Sequence, residues 1–223
     1  MIARYDSAIP PGGWPNWVIG SHDAPRIAAR LGEEQARVAA MLLLTLRGTP
    51  TLYQGDELGI GRVTIPPERV RDPRELREPG LGLGRDRSRT PMPWDASPHG
   101  GVSSGEPWLP LNDDWRSRNV AAQEKVSGSM LALYRALLRR RRSSAALSIG
   151  AFALAESDEE VLAYERRHGA ERLLVALNLG ARERRLLLPP GARILETTLT
   201  TPPAAAGGLR PNEGLIVSFD GDR

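Results

Sequence analysis

The sequence of 223 residues contains no cysteine. That excludes disulfide frameworks, zinc–cysteine sites, iron–sulfur clusters and a thiol nucleophile. Lysine is almost missing too: of 30 basic residues only Lys125 carries an amine, and the rest are arginine. With 27 acids scattered through the same segments, the formal net charge is +3. A nucleic-acid binder gathers a larger excess on one face, so no nucleic-acid partner is expected. Long apolar runs are also lacking. The strongest, Val38 to Leu44, falls far short of the roughly 20 residues of a membrane span. No basic-then-apolar leader opens the chain. A cytoplasmic protein without a membrane partner is the expectation. What is present is ordinary globular composition, 40% hydrophobic and 26% charged, with enough apolar surface to offset chain entropy.

The chain divides into two unlike parts, 1–143 and 144–223. In the first the pattern is α/β. Trp17 to Gly20 reads as a short strand, with Ser21-His22-Asp23 at its C-terminal end and Ala24-Pro25 breaking into a loop. Glu33 to Arg47 reads as a helix with acids at its start, arginine at its end and Gly48 after it. Its second half is apolar nearly all round, which demands neighbours on most sides. Thr51 to Gln54 reads as a second strand, giving a parallel strand–helix–strand unit. A long Gly- and Pro-rich loop follows over 58–128, beyond the usual length for a structureless connection and so expected to be functional. Ser129 to Arg142 closes this part as an amphipathic helix.

From Leu147 onward the period changes to two. Apolar runs recur at 147–154, 161–166, 172–179, 184–188, 193–198 and 214–219, separated by turn signals such as His168-Gly169 and Pro189-Pro190-Gly191. This spacing predicts an antiparallel β-sandwich. Two parallel strands cannot bury themselves. The first part therefore reads as the tail of a larger barrel or sheet, whose strands and apolar helix need partners from outside.

Several residue groups can carry chemistry. Asp23 with His22, at a strand's C-terminal end, can bind hydroxyls or stabilise developing positive charge; it can equally cap the next turn. Asp56 and Glu57 follow the second strand and could be a general acid and base, although a structural role is the favoured reading. The loop Arg85-Asp86-Arg87-Ser88-Arg89 offers guanidinium forks for carboxylates or sugar hydroxyls, or is knitted by Arg–Asp pairs. All five tryptophans precede residue 116; they can stack on sugar rings or fill cores. The run Arg139 to Arg142 reads as a solvated helix end.

In order, Trp17-Val18-Ile19-Gly20-Ser21-His22-Asp23-Ala24-Pro25-Arg26, Thr51-Leu52-Tyr53-Gln54-Gly55-Asp56-Glu57-Leu58-Gly59, Arg85-Asp86, Arg89-Thr90-Pro91-Met92, Trp94-Asp95 and Pro107-Trp108-Leu109-Pro110 resemble the C-terminal portion of an α-glucosidase of the α-amylase superfamily. The resemblance is to its oligo-1,6-glucosidase and α-glucosidase branch, in glycoside hydrolase family thirteen. The resemblance implies the last strands and helices of a (β/α)₈ barrel followed by an antiparallel C-terminal domain. It implies that Asp23 is the carboxylate that binds sugar hydroxyls and stabilises the transition state. By the same resemblance His22 and Arg85 hold the glucose in subsite −1, and Arg89 lies toward the aglycone. Ser21 stands where the family usually has Asn.

The family works by retention, with a nucleophilic Asp and an acid Glu about 5 Å apart. Neither motif has a match in these 223 residues. The resemblance thus implies an α-glucosidase acting on terminal bonds of maltose- or isomaltose-type oligosaccharides, with this chain inactive alone and the missing barrel half a candidate partner. A non-catalytic complementing subunit or sugar-binding module is the competing expectation, and a fragment of a transglycosidase such as a sucrose isomerase or trehalose synthase is another. No cofactor or metal site is expected from these residues.

Overall fold

The alternating pattern of the last third becomes an antiparallel sheet. The computed structural model describes residues 1–188, 191–202 and 207–219. Pro189 and Pro190 of the sequence-predicted turn, and the middle of the loop expected over 201–208, lie outside them. The helices are α1 (Ile2–Ala8), α2 (Ile27–Leu31), α3 (Glu33–Thr45), α4 (Pro73–Arg77), α5 (Asp86–Arg89), α6 (Val120–Gln123), α7 (Met130–Ser143) and α8 (Ala145–Ile149). The strands are β1 (Asn16–Val18), β2 (Thr49–Thr51), β3 (Ala151–Leu154), β4 (Val161–His168), β5 (Glu171–Asn178), β6 (Arg184–Arg185), β7 (Arg193–Thr197), β8 (Gly208–Leu209) and β9 (Gly214–Ser218). Contacts divide the chain into two compact units. The first comprises Met1–Trp17, Arg37–Thr51 and Leu133–Arg223; the second comprises Val18–Ala36 and Leu52–Ala132.

In the first unit β3, β4, β5, β9 and β7 form one sheet, in that order, with every pairing antiparallel. Strand alternation sends Val161, Ala163, Leu174, Ala176, Leu215 and Val217 to one face. There they bury against Leu186 and Leu209 beside the small β6–β8 sheet. This gives the expected two layers, with a much smaller second sheet than a full sandwich has. The opposite face carries Tyr164, Arg166, Val175 and Ile216, all fully buried. Tyr164 Oη lies 2.5 Å from Thr45 Oγ1 of α3, and Arg166 donates to the carbonyls of Thr45, Gly150 and Ala151.

The segment 147–154, expected to be one strand, is instead α8 followed by β3. Ser144 explains the change: its Oγ accepts the N–H of Leu147 at 3.0 Å and caps a helical turn that the apolar pattern does not reveal. The first two strands pair with each other but are only three residues long. The second lies at Thr49–Thr51, ahead of the expected 51–54, because Thr49 N–H bonds Pro15 O at 2.8 Å.

The apolar helix α3 also departs from expectation. It was expected to need partners from outside, yet Val38, Ala40, Met41, Leu43 and Leu44 are buried within this chain. The sheet supplies Tyr164 and Arg166, and α7 supplies Arg141. Arg141 is no solvated helix end: it is buried and donates to the carbonyls of Leu44, Leu46 and Gly48. These are orphan acceptors at the C-terminus of α3, where a cation is favoured. Its neighbour Arg140 pairs with Glu196 at 3.0 Å. Among the described residues, no helix is long and apolar enough to cross a membrane.

Candidate functional site

The second unit has little regular structure, so side chains hold its backbone. Its small apolar centre is Leu58, Ile60, Val63 and Leu131. Around this centre, polar groups fasten one loop to another. Arg26 is 1% exposed. Its fork donates to Gln54 O at 3.0 Å, and to Thr90 Oγ1 and Thr90 O at 2.7 Å each. One planar group thus ties three segments together: the turn after β1, the turn after β2 and the end of α5. Gly55 lets the chain pass close to this fork. Its φ is +87°, and a Cβ there would stand 2.7 Å from Arg26 Nε.

Asp56 serves the same turn from below. Its Oδ1 accepts the N–H of Ile27 at 3.1 Å, holding the first turn of α2. Burial pushes its carboxyl up to about 6, opposed by the Ile27 bond and by Arg26. A side chain at Gly20 would fall on Asp56 Oδ2, which has no hydrogen-bond partner among the described residues. Glu57 accepts Gly55 N–H at 2.7 Å. Both acids therefore take the structural role that was favoured for them.

This framework brings four sequence-predicted residues together. Asp23 Oδ1 accepts from Arg85 Nη1 at 3.0 Å and lies 3.6 Å from Arg89 Nη2. Asp23 Oδ2 is 3.3 Å from His22 Nε2. The Asp23 side chain is 57% exposed, so the carboxylate is held at one edge and open at the other. Arg89 also donates to His22 O at 3.3 Å. Turn capping falls to Ser21, whose Oγ accepts Asp23 N–H at 3.2 Å. The Asp23 carboxylate faces side chains instead.

Arg85 has a second anchor, which sequence reasoning missed. Its Nε donates to Asp72 Oδ2 at 2.8 Å, and its backbone N–H reaches the same oxygen at 2.9 Å. Asp72 is 1% exposed and caps α4 by accepting Arg74 N–H. The Arg85 bonds and that cap hold its carboxyl well below the usual carboxylate range. In turn, pairing with Asp72 first and Asp23 second raises the Arg85 guanidinium above its ordinary value. Asp86 Oδ2 accepts the N–H groups of Arg71 and Asp72, locking the cradle. The signal for Asp72 was present: Asp-Pro followed by Glu is a helix-start pattern. For Arg26 and Thr90 no local pattern exists, because they are 64 residues apart.

Chemically, an open carboxylate flanked by two guanidiniums and an imidazole can take paired hydroxyl donors and face developing positive charge.

The family model described as "Alpha amylase, catalytic domain" matches residues 1–150, and a domain of unknown function, DUF3459, matches residues 151–216. An oligo-1,6-glucosidase of Halalkalibacterium halodurans is 32% identical over 222 residues, covering 89% of this chain and 40% of the relative. Among solved structures, an alpha-glucosyl transfer enzyme, XgtA, superposes with a TM-score of 0.87 at 33% identity, covering 97% of this chain and 42% of that one. The trehalulose synthase MutB of Pseudomonas mesoacidophila gives a TM-score of 0.83 at 30% identity, covering 97% and 45% respectively. The chain thus spans about 40% of the length of the curated relative.

Proposed function

The chain belongs to the α-amylase family, and on that premise we propose that it supplies the sugar-holding, charge-stabilising side of an α-glucoside active site. In this reading Asp23 accepts hydrogen bonds from the hydroxyls of a terminal glucose and faces the cationic transition state. His22 and Arg85 position the same sugar, and Arg89 lies toward the leaving group. The substrates are maltose- and isomaltose-type oligosaccharides.

The observation that carries this reading is the bridge of Arg85 between buried Asp72 and open Asp23. A surface aspartate with no task needs no such support. The bridge fixes the carboxylate before a ligand arrives, which is how preorganised electrostatic stabilisation works. The nucleophile and the acid have to come from outside these 223 residues, so the chain alone is expected not to hydrolyse α-glucosides. Joined to a barrel half that carries both groups, it is expected to complete an active enzyme.

The test is an α-glucosidase assay on the purified chain, alone and after co-expression with that barrel half. No turnover alone, turnover together, and a loss on the order of 10³-fold in Asp23→Asn support the reading. Hydrolysis by the chain alone contradicts it. A second reading, transfer of the glucosyl group to a sugar acceptor, is favoured by the likeness to an alpha-glucosyl transfer enzyme. Chromatography of the products separates the two, since hydrolysis yields free glucose and transfer yields a new disaccharide.

A further inference from the structure

The second unit contains a cavity of about 630 Å³ that shares no residue with the Asp23 site. Arg69, His99, Glu106, Asn112, Asp113 and Trp115 contribute to its lining. We infer that this cavity is a second carbohydrate site, which takes a short neutral oligosaccharide.

Four observations point there. The first is an unused acceptor. Asn112 is 3% exposed, and its Nδ2 donates to Asp114 Oδ1 at 2.7 Å, but its Oδ1 has no partner among the described residues. Buried polar atoms are nearly always paired, so an orphan on a residue that lines the cavity calls for a donor. A hydroxyl is such a donor.

The second is the balance of charge. Cationic Arg69 and Arg116 are matched by Glu106 and Asp113. A strongly anionic or cationic ligand would meet repulsion from half of this set, whereas a neutral polyol can use donors and acceptors alike. The third is the apolar part of the wall, where prolines and leucines lie beside Trp115. Sugar rings carry C–H faces that suit an indole. Arg116 lies over one face of the Trp115 ring at 4.4 Å, so that face already carries a donor.

The fourth is construction. Arg69 fastens the rim by donating to Glu106, Pro107 O and Trp108 O. His99 is held at φ +59°, a backbone region uncommon for a residue with a side chain. Asp95 braces its turn by accepting the N–H and hydroxyl of Ser97. Strain of this kind persists only where the surroundings enforce it. The ligand class follows from the cavity's own chemistry and does not depend on the reading of Asp23.

The experiment is a titration of the full chain with maltotriose and with isomaltotriose, followed by two-dimensional ¹⁵N NMR. It is run in the Asp23→Asn variant so that the first site is muted. The Trp115 indole N–H and the Asn112 side-chain amide are expected to shift together and saturably. Trp115→Ala is expected to weaken this response about tenfold, while Trp115→Phe keeps it. If the alanine variant loses its fold, the phenylalanine variant and the Asn112 resonance carry the test. Three outcomes overturn the inference: neither resonance moves with sugar, inorganic phosphate moves them and sugar does not, or the affinity is unchanged in a folded Trp115→Ala.

Discussion

The two units of this chain are held together by different physics. In the first, regular strands and helices satisfy the backbone, and side chains are free to form an apolar core on both faces of β5. In the second, long irregular segments leave backbone carbonyls and N–H groups without regular partners. Buried arginines and aspartates supply what secondary structure does not: Arg26 for Gln54 and Thr90, Asp86 for Arg71 and Asp72, Asp56 for Ile27. The first arrangement is a platform. The second holds exposed groups at fixed positions, and both candidate sites lie within it. Binding groups on loops braced by a scaffold are a common division of labour.

Even the platform borrows the loop unit's device in two places, Arg166 and Arg141. The largest expected effect is therefore at Arg166. Arg166→Ala removes the donors to the carbonyls of Thr45, Gly150 and Ala151 and empties a fully buried volume. A loss of about 3–5 kcal/mol is expected, measured by urea denaturation, with the whole sheet unfolding together. A cost below about 1 kcal/mol would show that the platform does not depend on this residue.

Arg26→Ala is expected to cost about 2–4 kcal/mol but to act locally. Limited proteolysis should cut within 52–132 much faster, while amides of β4, β5 and α3 stay protected from exchange. Equal loosening of both units would break the contrast between them. Strong protection of amides 38–46 is also expected in the unmodified chain, because α3 is buried by partners this chain itself provides.

Acid–base behaviour should separate the units as well. Asp56 has a folded value raised to about 6, above its unfolded value near 3.8, so the folded state favours the protonated form. Its contribution is fully present below about pH 4 and is lost as pH rises to about 6. The loss is on the order of 2–3 kcal/mol. Asp56→Asn should flatten stability between pH 4 and 6. Asp72 has the opposite sign: its folded value is lowered, so its stabilisation is present above about pH 4 and fades as pH falls further. Thermal melts across pH 3–7 of the parent, Asp56→Asn and Asp72→Asn would resolve both slopes. The smallest effect is expected at the α6 cap. Asn119→Ala removes the acceptor for Ala122 N–H and the donor to the carbonyls of Trp115 and Arg116 and should cost about 1–2 kcal/mol.

The same contrast explains what was legible in the sequence. Period two located β4, β5, β7 and β9 within a residue or two, since each strand has to alternate to bury one face. The apolar run of α3 was equally plain. Its partners were not, because they lie more than 100 residues away at Tyr164 and Arg166. In the loop unit no period exists to be read. His22, Asp23, Arg85 and Arg89 stood out only through an ordered resemblance, and the structure brings them within hydrogen-bonding or ion-pair distance. Asp72 escaped notice although its helix-start pattern was legible, because its bond to Arg85 follows no spacing rule. Arg26 and Thr90 stood in the matching motifs without a role, since the bond between them spans 64 residues. Arg141 was misread for the same reason: a run of arginines at a helix end looks alike whether it meets water or three carbonyls.

The close approach of Gly20 to Asp56 has a consequence for anyone who diversifies the loop bearing His22 and Asp23. Position 20 is coupled to position 56, since any side chain at 20 displaces the carboxylate that holds Ile27 and with it the entry to α2. A library that randomises residue 20 alone will consist almost wholly of casualties. One that varies 20 and 56 together, allowing Ser or Ala at 56, opens pairs that neither single change can reach. The two positions are 36 apart in sequence, yet they behave as one choice under selection.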